Sequence, residues 1–192
     1  MGEGVVKIRP QFAYSRSRWL VTPMKSGAYR PWLVERGSLT KRLQSKTQYF
    51  HVRALHVHHN EPYLDEARLL GLPPHQQALL REVMLMDDQI PLVFAHSVLP
   101  HKSLRGPWQG LSKMGNRPLG AALFADHRVV RTPLQYKKIA KHHVLFRQVA
   151  KHLGAMPPAI WARRSIFQLR AGDRQHAIMV TEVFLPAVLG LK

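Results

Sequence analysis

Two pairs of apolar runs, each joined by a short polar turn, set the architecture this chain can adopt. The first pair is Leu80–Met86 and Leu92–Leu99, with a turn over Asp87-Asp88-Gln89-Ile90-Pro91. The second is Arg163–Leu169 and Ala177–Leu185, with a turn at Ala171-Gly172-Asp173 and a stop at Pro186. Runs this short, bounded by Gly, Asp and Pro, predict antiparallel β-hairpins. Each hairpin carries one misplaced charge. Strand side chains alternate between faces. Arg81 therefore shares a face with Val83 and Leu85, and Glu182 shares one with Ile178, Val180 and Phe184. A buried unpaired charge is costly. Arg81 and Glu182 must either pair with each other or face a ligand.

The rest of the chain fits around these hairpins. Tyr49–His59 mixes β-branched and aromatic residues in rough alternation and predicts a fifth strand. Pro31–Gly37 reads as a short helix, and Ser38 is placed to cap a helix beginning at Leu39. Ser38-Leu39-Thr40-Lys41 also matches S-x-x-K, but its partner motifs are missing and the cap explains the serine better. Residues 61–80 hold Pro62, Gly71, Pro73 and Pro74, which limit helices there to short ones. Two short helices are expected over Ser103–Leu123, one ending at Gly115 and one opening at Pro118. Over Pro133–Gly154, Tyr136, Ile139, Ala140, His143, Phe146, Val149 and Leu153 recur near helical spacing and predict a long basic helix. Together these elements predict an α+β domain: a single antiparallel sheet with inserted helices. Residues 1–30, without period, read as a basic arm ahead of a domain over 31–192.

Charge limits the class of partner. Among 192 residues, 29 Lys and Arg face 11 Asp and Glu, a net charge of +18. Such a surface suits an anionic partner: nucleic acid, a membrane surface or an acidic small molecule. No helix-turn-helix, zinc-finger or RNA-recognition signature is present. Without Cys there is no thiol nucleophile and no Cys-based zinc site. His56 and His58 form a two-ligand set without a third at useful spacing, so no metal is assigned. No P-loop or G-x-G-x-x-G fingerprint supports a nucleotide. Neither a secretory signal nor an apolar run of spanning length is apparent, and a cytoplasmic location is expected.

Four blocks, in order, carry a family resemblance. Leu80–Pro100 (LREVMLMDDQIPLVFAHSVLP), Gly115–Phe124 (GNRPLGAALF), Arg163–Leu169 (RRSIFQL) and Val180–Pro186 (VTEVFLP) resemble bacterial chorismate lyases. Gly37–Leu43 (GSLTKRL) matches the segment near that family's start. The resemblance implies elimination of pyruvate from chorismate to give 4-hydroxybenzoate, the entry step to the ubiquinone ring, without metal or organic cofactor. It implies helical flaps over an enclosed site in a protein expected to be a monomer. It places a carboxylate-gripping arginine at Arg81 and an acidic site residue at Glu182. Ligand contacts fall at Leu39, through its backbone, and at Leu119 in the Pro-Leu-Gly turn of a flap. The basic surface suggests contact with an anionic membrane, and the helix over 133–154 is the element that would make it. The alternative is a non-catalytic effector-type binding domain of the same fold. A nucleic-acid binder would account for the charge but not for Glu182 on its strand.

Overall fold

The computed structural model describes residues 18–191. Two short helices come first, α1 (Arg30–Leu33) and α2 (Leu39–Gln44), then strand β1 (Phe50–Asn60) and helix α3 (Leu64–Leu69). The first hairpin is β2 (Ala78–Asp87) and β3 (Ile90–Pro100). Helix α4 (His101–Leu104), a 3-10 turn at Gln109–Lys113 and α5 (Leu119–Ala125) follow. Next are β4 (Val130–Arg131), β5 (Gln135–Ala140) and α6 (Val144–Ala150). The second hairpin, β6 (Ala159–Ala171) and β7 (Arg174–Phe184), leads to a last 3-10 turn at Pro186–Gly190.

All the strands join one antiparallel sheet in the order β1-β2-β3-β7-β6, with β4 and β5 both paired along the far edge of β6. The two predicted hairpins thus lie side by side and form the centre. Being central, β2 is buried on both faces along almost its whole length. That is why its sequence reads as a continuous apolar run rather than a clean alternation.

Each face has its own cover. On one, Trp32 and Leu33 of α1 and Leu39 and Leu43 of α2 pack on Val52, Val83, Leu85, Val93 and Phe184. Further along the same face, Leu104, Leu119 and Leu123 of the α4–α5 segment pack on Leu79, Leu99, Phe167 and Ile178. On the other face, Leu145, Phe146 and Val149 of α6 meet Met84, Phe94 and Val183. Leu70 and Leu72, after α3, meet Leu80, Val98 and Met179 there. Ser38 caps α2 as its sequence suggests, its Oγ accepting from the Lys41 N–H at 3.3 Å.

Three expectations need correction. The long helix over Pro133–Gly154 is a strand and a short helix. Without β5, the outer edge of β6 would leave a row of backbone groups unpaired; Gln135–Ala140 satisfies them, which outweighs local helical preference. Tyr136 and Ile139 are buried as the helical reading required, but so is Lys137, which that reading put on the solvent face. Secondly, the first hairpin loop is only Asp88-Gln89, because Asp87 already pairs with Ile90. Asp88 adopts the left-handed backbone that a tight hairpin demands. Thirdly, Ala171 pairs with Arg174, so the second loop is Gly172-Asp173 alone, with Gly172 at φ +58°.

Residues 1–17 of the expected arm lie outside the described residues. Part of the remainder is attached to the sheet: Leu20 bridges Tyr136, and the Trp19 ring lies under the Arg164 guanidinium at 4.1 Å. Among the described residues, no helix is long and apolar enough to cross a membrane.

Candidate active site

Strand register brings Arg81 and Glu182 to one face. Arg81 lies opposite Ser97, Ser97 opposite Val180, and Glu182 opposite Ala95. Residues directly opposite in an antiparallel pair share a face. The two charges therefore stand two strands across and two residues along, roughly 12 Å apart at the backbone. Between them β3 presents only Ala95 and Ser97. Those two small side chains leave the floor of a cavity that Leu or Phe would fill.

Helix termini close the roof. Leu39 and Thr40 come from the first turn of α2, and Pro118, Leu119 and Gly120 from the start of α5. Phe124, Phe167, Val83 and Leu85 complete apolar walls. All four sequence-predicted residues, Leu39, Arg81, Leu119 and Glu182, thus line one cavity. Its volume is only about 40 Å³, room for a few waters at most. Any larger ligand requires the roof to move outward.

Arg81 holds that roof. Only 3% exposed, it donates from one terminal nitrogen to the carbonyls of Gly115 (2.9 Å) and Arg117 (2.8 Å). Gly115 has φ +50°, the left-handed geometry of the turn that opens the flap. The Asn116 amide oxygen accepts from the Ala54 N–H at 3.1 Å, beside the bulge in β1, and ties the same turn to the sheet edge. Nε of Arg81 is buried without a partner among the described residues. Burial pulls the Arg81 pKa below the usual arginine value. This guanidinium is desolvated and has donor capacity to spare, which is the state expected of an anion receptor.

Glu182 is not alone, and its partner is not Arg81. Its Oε2 accepts from Nε of Arg163 at 2.5 Å, and Arg131 approaches the same oxygen at 3.8 Å. Arg163 is fully buried; its NH1 donates to the carbonyls of Trp32, Leu33 and Glu35 (3.0, 3.2 and 2.7 Å). That set anchors the end of α1 and the chain just after it to the sheet and aims the Glu182 carboxylate. Oε1 makes no hydrogen bond to the described residues. The two strand charges thus face one cavity while each is compensated locally, an arrangement that the choice between mutual pairing and ligand contact left out.

Two residues that sequence reasoning missed follow from the register and the β4 strand. Arg163 sits directly opposite Glu182. Arg131, on the short β4, reaches over Phe124 and Phe167 into the same cavity. The histidines considered for metal are elsewhere: His56 and His58 stack edge-on at 6.4 Å, on edge strand β1. Among the described residues no three potential ligands gather to hold a metal.

A second polar cluster lies on the opposite sheet face. Buried His96 bridges Glu82 (3.2 Å) and Glu66 (3.3 Å), with the Tyr63 ring stacked on it at 5.5 Å. Burial opposes its charge, but the two carboxylates outweigh burial and push its pKa up to about 9. This closed ion-pair network binds α3 to the sheet. A groove of about 1140 Å³ nearby, with Trp19, Lys137 and His143 in its wall, is far larger than the cavity. It contains none of the four predicted site residues and is more open, so the small cavity is the stronger candidate site.

The chorismate lyase family model matches residues 14–190. A relative from Methylobacillus flagellatus, named a probable chorismate pyruvate-lyase, is 48% identical across 92% of this chain and 97% of its own length. A relative of the same name from an Azoarcus species is 43% identical across 94% of this chain and 97% of its own. Among solved structures, the effector domain of PhnF from Mycobacterium smegmatis superposes with a TM-score of 0.55 at 16% identity, covering 80% of this chain and 91% of that one. The C-terminal domain of a histidine utilization repressor from Pseudomonas syringae gives 0.51 at 9%, covering 72% and 92%. At such identities these two establish a shared fold and nothing about ligands. The sequence relatives and the family model, across nearly the full chain, establish more: this protein belongs to the chorismate lyase family.

Proposed function

We propose that the protein eliminates pyruvate from chorismate to give 4-hydroxybenzoate, without metal or organic cofactor, as a cytoplasmic step towards ubiquinone. The observation that carries this is the convergence of Arg81 and Glu182, with Leu39 and Leu119, on one apolar cavity. The spacing suits a para-substituted six-membered ring, gripped at its carboxylate by Arg81 and at its 4-hydroxyl by Glu182.

In this reaction the ether bond at ring C3 breaks, and its electron pair leaves on the enolpyruvyl oxygen. The C4–H pair becomes the new ring double bond, and the proton ends on the enolpyruvate methylene, making pyruvate. Aromatisation supplies the driving force. The protein has to hold the ring, exclude water and stabilise charge at the departing oxygen. Arg81 serves as the carboxylate clamp. Glu182, held by Arg163, orients the 4-hydroxyl through Oε1. Leu39 contributes backbone contact at the capped start of α2, and Leu119 closes the flap.

Arg81 also links binding to the roof. Its donors reach the Gly115 and Arg117 carbonyls, so a carboxylate arriving there competes for the same guanidinium. Entry and exit are therefore coupled to flap movement. Protein incubated with chorismate in cofactor-free buffer is expected to release 4-hydroxybenzoate and pyruvate in equal amounts. Binding of 4-hydroxybenzoate without turnover would favour the effector-type reading, whose fold is the same.

A further inference from the structure

We propose that Arg131 is the receptor for the second carboxylate of the substrate, the one on the enolpyruvyl arm. This rests on the chorismate reading above. Chorismate carries two carboxylates and 4-hydroxybenzoate one. In a cavity this closed, a carboxylate without a cationic partner is heavily penalised. Among the described residues two cationic side chains line the cavity, Arg81 and Arg131. Arg81 is assigned to the ring carboxylate, which leaves Arg131 for the other.

The bonding of Arg131 fits the role. Nε donates to Ser165 Oγ at 2.7 Å, and NH1 to the Arg36 carbonyl at 3.2 Å. Those two bonds fix the guanidinium plane, which lies against the rings of Phe167 (5.2 Å) and Phe124 (5.6 Å). NH2 makes no hydrogen bond to the described residues; its nearest acidic atom, Glu182 Oε2, is 3.8 Å away. A positioned guanidinium with one unspent nitrogen is a prepared carboxylate receptor. Glu182 does not cancel it, because Arg163 already neutralises that carboxylate at 2.5 Å. The Arg131–Arg163–Glu182 group therefore keeps one surplus positive charge at the cavity wall.

Position adds a second argument. Arg131 lines both the inner cavity and an outer groove of about 420 Å³ walled by Thr132, Leu134 and Tyr136. It stands at the boundary between them. A three-carbon arm held there points away from the ring site towards the surface. Arg131 exchanges no atom with the substrate. It holds the arm while the C3–O bond breaks, and its charge lies near the oxygen that takes the electron pair.

Arg131→Gln separates the two carboxylates. For the wild type, both turnover of chorismate and the dissociation constant of 4-hydroxybenzoate are measured. Losing one charge-assisted interaction is expected to lower kcat/KM for chorismate about 10- to 150-fold. Affinity for 4-hydroxybenzoate, which lacks the second carboxylate, is expected to stay within about threefold. A purely structural role would damage both measurements alike. Arg131→Lys keeps the charge but not the fork and is expected to recover part of kcat/KM. It also provides the test if the glutamine variant fails to fold, with the same split on a smaller scale. Unchanged kcat/KM, or equal losses on both ligands, overturns the assignment while leaving the lyase reading intact. A wild type that binds 4-hydroxybenzoate but never consumes chorismate overturns the lyase reading itself.

Discussion

Replacing Arg81 with Met separates ligand recognition from folding. Methionine fills much of the arginine stem's volume without charge. In the free protein the lost contacts are the two bonds to Gly115 and Arg117 carbonyls, at 2.9 and 2.8 Å. Both residues are exposed, so their carbonyls can turn to water. The net cost of each bond is then about 1 kcal/mol, giving about 2 kcal/mol in favour of an open flap. Removing a buried guanidinium from apolar walls partly offsets this, so global stability should change little. Binding is different. A desolvated carboxylate loses a charge-assisted partner worth about 1.5–3 kcal/mol per hydrogen bond, and a bidentate pair loses two. The dissociation constant of 4-hydroxybenzoate should rise at least about 100-fold. Calorimetric titration gives that constant, thermal melting gives stability, and amide exchange over 115–125 gives flap opening. A variant that binds 4-hydroxybenzoate within about threefold of wild type refutes the clamp; a large fall in melting temperature shows that Arg81 is chiefly structural.

Other consequences follow from the remaining charges. Glu182→Gln preserves an acceptor for Arg163 and a group for the 4-hydroxyl, so turnover should fall by no more than about tenfold; a thousandfold loss in kcat would reassign Glu182 to proton transfer. His96 has its pKa raised from 6.5 to about 9, so its stabilising charge is fully present below about pH 6.5 and is lost as pH rises through about 9. That shift corresponds to about 3 kcal/mol, and denaturant titrations should show stability falling across this window in the wild type but not in His96→Gln. The same substitution leaves Glu66 and Glu82 without their common partner and should cost about 3–5 kcal/mol at pH 6. A net charge of +18 attracts a dianion, so kcat/KM for chorismate should fall as ionic strength rises, with kcat nearly constant. Binding to anionic vesicles now rests on net charge alone, since the long basic helix over 133–154 is not formed.

Much of this was legible in local patterning. Both hairpins, the α2 cap and the edge strand β1 follow from turn residues and alternation, because local chemistry and tertiary placement agree there. The Arg81 and Glu182 anomaly pointed to the cavity for a physical reason: apolar strand faces do not tolerate charge without a purpose. Arg163 was nearly within reach. In a two-residue hairpin every partner is fixed by the turn, and Gly172-Asp173 puts Arg163 opposite Glu182. Taking Ala171 into the turn shifts the register by one and hides the pair. Arg131 was out of reach, since β4 is only Val130–Arg131 and its place depends on pairing with Phe167 and Gln168. The same holds for β5, whose Tyr136 and Ile139 suit either a helix or a strand until the edge of β6 decides.

Arg81 and Glu182 are expected to frame a chorismate site that works without a cofactor. The most direct measurement is single-turnover conversion: chorismate mixed with excess purified protein in the presence of a chelator, sampled over time for substrate, 4-hydroxybenzoate and pyruvate. Chorismate is expected to disappear as both products appear in equal amounts. Chorismate that stays intact while bound to the folded protein would contradict it.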